Sequence, residues 1–120
     1  MTEYVLDTHA CVYALAAPAR LGKAARRALR QVEAGDAIAW IPAAVVAEIV
    51  MLRELGRTRI GLPELETVIE QAGSFRFLAL DLRQLDEFAA LTAIRDPFDR
   101  LILSACRSAG ARRAARPERK

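Results

Sequence analysis

Four carboxylates stand where an apolar core would not place them: Asp7 after the short run at residues 4–6, Glu48 inside "AAVVAEIVML", and Asp96 and Asp99 within "RDPFDR". A carboxylate among apolar residues is costly unless it caps a helix, pairs with a cation or binds a metal. Capping accounts for some of them taken singly. Asp7 or Thr8 suits the N-cap of a following helix. Asp96, Pro97 and Asp99 give an Asp cap, a proline in the first turn and an acid three residues on. Glu48 has no such account. It is the only charged residue between Ala37 and Leu52, and Ala44, Met51 and Leu52, three or four positions away, offer no surface salt bridge. The bland alternative for Glu48 is a chance exposed position.

If these acids meet, their chemistry is narrow. Carboxylates clustered with one histidine and no cysteine pair suit a hard, oxygen-loving cation such as Mg²⁺ or Mn²⁺, not zinc. Such an ion polarises a phosphodiester, activates a water and stabilises the leaving oxygen, so the reaction indicated is metal-dependent phosphodiester hydrolysis.

The elements that must position the acids follow from hydrophobic spacing. Residues 4–6 are apolar and partly β-branched, as in a buried strand, and a short helix over residues 10–16 stops at Pro18. In "LGKAARRALRQVEAG", Leu21, Ala25, Ala28, Leu29 and Val32 make one helical stripe with the basic residues outside it. A strand over 37–41 precedes the helix "AAVVAEIVMLRELG", and "LPELETVIEQAG" adds another helix. Residues 75–80 alternate as a strand before the helix "DLRQLDEFAALTA". In the last helix, Phe98, Leu101, Ile102, Ala105, Cys106 and Ala109 recur at helical spacing. Strands alternating with helices indicate an α/β fold on a parallel sheet, in which strand C-termini and the helix N-termini after them share one edge. That edge is where the four acids are expected.

Composition sets outer bounds. A chain of 120 residues, 53% hydrophobic and 28% charged, is one soluble domain with enough core to fold unaided. The net charge of +3 is uneven: residues 107–120 carry +5, which leaves −2 for the rest and removes overall basicity as a sign of nucleic-acid binding by the folded body. Cys11 and Cys106 are isolated from one another and read as small buried hydrophobes in a reducing compartment. No run is long enough to span a membrane, and a cytoplasmic location is expected.

Three segments, "YVLDTHACVYAL", "IPAAVVAEIVML" and "RDPFDRLILSACRSAG", resemble the PIN-domain ribonucleases, and among them the VapC-like toxins of bacterial toxin–antitoxin pairs, over residues 4–110. The third is the most specific, with the arginine, two aspartates and an apolar helix in the family's order. The resemblance implies a three-layer α/β/α fold around a short parallel sheet, Mg²⁺ or Mn²⁺ in an acidic pocket, and an endoribonuclease neutralised by a cognate antitoxin. It matches Asp7, Glu48 and Asp99 to the metal-holding acids, Asp96 to an additional acid that serves the pocket or only caps the helix, and Thr8 to a hydroxyl that supports the first acid. It also implies RNA as substrate and a homodimer. The departure is at the end: "ARRAARPERK" stands where the family continues with an apolar strand, a Ser or Thr and another Asp. The last strand and fourth acid are therefore expected to be missing, with residues 1–110 as the PIN-like domain and 111–120 as a disordered basic tail. That departure keeps a second function open, a catalytically impaired PIN protein that acts only as an antitoxin-binding partner.

The remaining candidates carry ordinary readings. His9 reads as structural, and Trp40 as a core aromatic or an antitoxin contact. Arg95 and Arg100 either hold RNA phosphates or pair with neighbouring carboxylates. Arg53, Arg57 and Arg59 read as a solvated helix end rather than an RNA track.

Overall fold

The computed structural model describes residues 1–110 together with Arg112 and Arg113. In chain order the elements are β1 (Thr2–Val5), α1 (Thr8–Ala16), a 3₁₀ turn (Pro18–Arg20), α2 (Lys23–Glu33), β2 (Ala37–Pro42), α3 (Ala43–Glu54), α4 (Leu62–Gln71), β3 (Phe75–Leu78), α5 (Leu82–Ala90), α6 (Pro97–Ala109) and β4 (Arg112–Arg113). The strands form one parallel sheet in the order β3-β2-β1-β4. Val5 pairs with Trp40 on one side and Arg113 on the other, and Ala39 pairs with Phe75. The backbone amide of Leu6 donates to the carbonyl of Trp40 at 3.0 Å, which carries the β1–β2 pairing up to Asp7.

Every α-helix but α2, which follows Gly22 with no side-chain cap, begins where the sequence supplies a cap or a proline. Asp7 Oδ1 accepts the Ala10 amide at 2.8 Å, Asp81 Oδ1 accepts that of Gln84 at 2.9 Å, and Asp96 Oδ1 accepts that of Asp99 at 2.9 Å. At α4 the Gly61 amide donates to Glu64 Oε1 at 2.7 Å, and this bond holds the Glu64 carboxyl below the usual range. Gly110, with φ at 65°, ends α6 in the left-handed conformation that glycine accepts without strain. Val5, Ile41, Val45, Ile49, Leu65 and Ile102 are fully buried between the sheet and its helices.

Three expectations are revised. The last strand is not missing altogether: Arg112 and Arg113 pair parallel with Tyr4 and Val5, because the free edge of β1 offers backbone groups that need partners whatever the side chains. The rest of the expected tail, residues 111 and 114–120, lies outside the described residues. The helix expected through residue 93 stops at Ala90. There Arg100 Nε donates to the Phe88 carbonyl at 2.8 Å while its guanidinium lies 4.3 Å from the centre of the Phe88 ring. Ala109, placed in the apolar stripe of α6, is exposed. Among the described residues, no helix is long and apolar enough to cross a membrane.

Candidate metal centre

The parallel sheet delivers the acids to one edge. Asp7 follows β1 and caps α1, while Thr8, the first residue of α1, is buried beside it. Glu48 lies mid-way along α3, which starts at the end of β2, while Asp96 caps α6 and Asp99 lies in its first turn. All four carboxylates line a single cleft of about 180 Å³ together with Thr8, His9, Phe98 and Ile102. The cleft therefore draws on residues from both ends of the chain and its middle.

The side chains hold one another in specific ways. Thr8 Oγ1 donates a hydrogen bond to Glu48 Oε1, linking α1 to α3 across 40 positions of sequence. Glu48 is half-buried, so the hydroxyl partner replaces chance exposure as its structural account. Asp7 is 3% exposed, and its cap bond fixes the carboxylate at the cleft wall. Asp96 is exposed at the rim and Asp99 is half-buried.

The donor set is all oxygen apart from His9, which fits a hard divalent cation in kind. Among the described residues, no three His, Cys, Asp or Glu side chains converge on one point as they stand. Glu48 is engaged by Thr8, so holding an ion with Asp7 and Asp99 requires these carboxylates to rearrange from the positions they take here. Asp7, Glu48 and Asp99 are the residues that would share it.

Other candidates fall into place by their contacts. Arg100 belongs to the end of α5, through the carbonyls of Phe88 and Ala89, and not to a neighbouring carboxylate. Trp40 is half-buried on β2, where its Nε1 donates to Glu3 Oε1 at 2.6 Å. Arg53, Arg57, Arg59 and Arg95 are exposed. His9 does line the cleft, and so do Phe98 and Ile102, which the helical stripe assigns to the core. Their spacing could not separate the two, because one helical face serves both, and Ile102 belongs to the core and the cleft at once.

Three comparisons bear on the arrangement. A family model described as PIN domain matches residues 4–116. No curated protein matches the chain. Solved structures that share its fold include VapBC2 from Rickettsia felis bound to a DNA fragment from the promoter, with TM-score 0.64 and 17% identity over 92% of this chain and 84% of that one, and DNA-bound VapBC from Salmonella typhimurium, with TM-score 0.62 and 15% identity over 92% of this chain and 83% of that one.

Proposed function

The chain belongs to the PIN domain family, and from that premise we propose that it is a metal-dependent endoribonuclease, the toxin of a toxin–antitoxin pair, kept silent in the cytoplasm by a cognate antitoxin. One observation carries this reading: Asp7, Glu48 and the pair Asp96 and Asp99, from three separate places in the chain, line one cleft. Gathering that much like charge in one cleft without a cation is unfavourable, and helix capping accounts for Asp7 and Asp96 but not for Glu48 and Asp99.

Asp7, Glu48 and Asp99 hold Mg²⁺ or Mn²⁺ in this reading, and Asp96 assists at the rim. The ion supplies Lewis acidity to the phosphodiester and lowers the pKa of water. The protein's own part is positional. The Ala10 amide orients Asp7, Thr8 keeps Glu48 turned into the cleft until an ion competes for it, and Arg100 fixes the turn that presents Asp99. The likeness to two VapBC complexes supports an antitoxin partner, and a homodimer is proposed with it.

The rival reading is a PIN protein that binds an antitoxin without cutting RNA. It draws on the carboxylates, no three of which converge, and on a fourth strand that spans two of the described residues. Calorimetric titration with Mn²⁺, beside Asp7→Asn and Asp99→Asn, separates the two when paired with cleavage of a labelled RNA. Binding and cleavage lost together in both variants support the nuclease. A folded wild type that neither binds the ion nor cuts leaves the antitoxin-binding reading.

A further inference from the structure

Outside the acidic cleft, rings and cations form a row that the metal chemistry does not use. His9 is exposed at the cleft. One turn further along α1, the Tyr13 ring lies 6.1 Å from His9, centre to centre, tilted by 51°. The guanidinium of Arg20 sits 5.2 Å from the centre of the Tyr13 ring. Three residues on, α2 begins with Lys23, and Lys23, Arg26, Arg27 and Arg30 are all exposed. At 3.6 residues per turn these four fall within an arc of roughly 100°. That arc is opposite the buried face of Ala25, Ala28 and Val32.

The fold gives no reason for this choice of charge. The buried face of α2 suffices to dock it, and Glu or Gln on the outer face would serve helix propensity equally well. Instead Lys23–Arg27 and Arg26–Arg30 are like-charge pairs at the helical spacing that destabilises. The first turn holds a lysine and no acid, against the helix dipole. Among the described residues, none of these five cations is in a salt bridge. A helix that keeps repelling charges on one face is stabilised when a polyanion lies along it.

We infer that His9, Tyr13, Arg20 and the outer face of α2 form a track for a single RNA strand running to the acidic cleft, with nucleobases stacking at the two rings and phosphates lying along Arg20 and α2. The inference deepens the nuclease reading and rests on it for the identity of the strand. The exposed His9 ring and the half-buried Tyr13 ring favour an unpaired strand, because only unstacked bases can reach them. The strand is held where an adjoining phosphodiester enters the cleft.

The test is binding of a fluorescein-labelled oligouridine to the full chain in EDTA, followed by anisotropy across a salt series. Lys23→Gln/Arg27→Gln/Arg30→Gln should weaken binding at least tenfold and lower the log–log salt slope by about 2, at roughly 0.7 for each single-strand phosphate that is no longer neutralised. Tyr13→Leu should weaken it by about five- to a hundredfold, as removal of one stacked base does, while Tyr13→Phe keeps wild-type affinity. Arg57→Gln/Arg59→Gln, the rival basic cluster, should leave the slope unchanged. The track is overturned by no binding in the wild type, by an unchanged slope in the α2 variant, by a fall in slope in the Arg57/Arg59 variant, or by equal affinity for duplex RNA that Tyr13→Leu does not alter. Cleavage with Mn²⁺ is read separately. A wild type that binds through the track but cuts nothing sinks the nuclease and leaves the track, whereas cleavage with KM unchanged in the α2 variant does the reverse.

Discussion

Asp7 carries two duties on one carboxylate, capping α1 through the Ala10 amide and lining the cleft. Asparagine keeps an oxygen for the amide and gives up the charge, so Asp7→Asn should abolish cleavage while leaving the urea midpoint close to wild type. Asp7→Ala gives up both, and its further loss should be about 1 kcal/mol, the usual worth of an N-cap. Equal midpoints in the two variants would show that the cap is idle. Cys11, fully buried one turn on, titrates far from the ordinary range: burial, and then the charge of Asp7, pushes its thiol up to about 12. The unfolded thiol ionises near 8.5, so this contribution to stability is whole below about pH 8.5 and is lost as pH rises towards 12. Wild type should therefore lose more of its urea midpoint than Cys11→Ala does between pH 8 and pH 10, and native Cys11 should resist alkylation at pH 8. At this scale the acids were legible because a carboxylate in an apolar run has few explanations. The Thr8–Glu48 bond was not, since nothing in either segment announces a partner 40 residues away. Nor was the row from His9 to Arg20, whose members are ordinary one by one.

Between elements, the junction of α5 and α6 sets where Asp99 stands. Gln84 is 3% exposed, and its Nε2 donates to the Leu101 carbonyl at 3.0 Å and to Ser104 Oγ at 3.1 Å. Gln84→Leu keeps the volume and removes the donors, and should cost about 1–3 kcal/mol in urea unfolding. Gln84→Leu combined with Ser104→Ala should cost less than the two single changes added together, because the buried hydroxyl left short of a partner is removed as well. Strict additivity would argue against a shared network. Helical spacing made α5 and α6 readable as helices, but Gln84 carries no periodic signal and Arg100 was placed beside acids by sequence proximity alone. Its contacts with the end of α5 depend on how two helices cross, which spacing along one chain does not encode.

For the molecule as a whole, the decisive feature is that β1 is an interior strand, with β2 on one side and the two residues of β4 on the other. The alternation of strands and helices made the parallel sheet legible, because hydrophobic period reports burial directly. The fourth strand was not legible: Arg112 and Arg113 have no strand pattern, and their pairing is dictated by the edge they meet. Ending the chain at Gly110 should bare that edge. The shortened protein is expected to unfold at lower urea and to scatter light more strongly as its concentration rises. Unchanged behaviour in both would mean that β4 contributes nothing.

That sheet order also sets a timetable. A ribosome delivers Asp7 first and Asp99 only after three of the four strands and five of the six α-helices have been made. Until α6 emerges, the polypeptide beside the message being translated holds one wall of the cleft and not the other, so on the nuclease reading a nascent chain would spare the RNA that encodes it. Stalled chains ending before residue 95 should be cleaved readily by added protease and should leave their own message intact. Activity would then begin at release, when the last helix closes over the first strand.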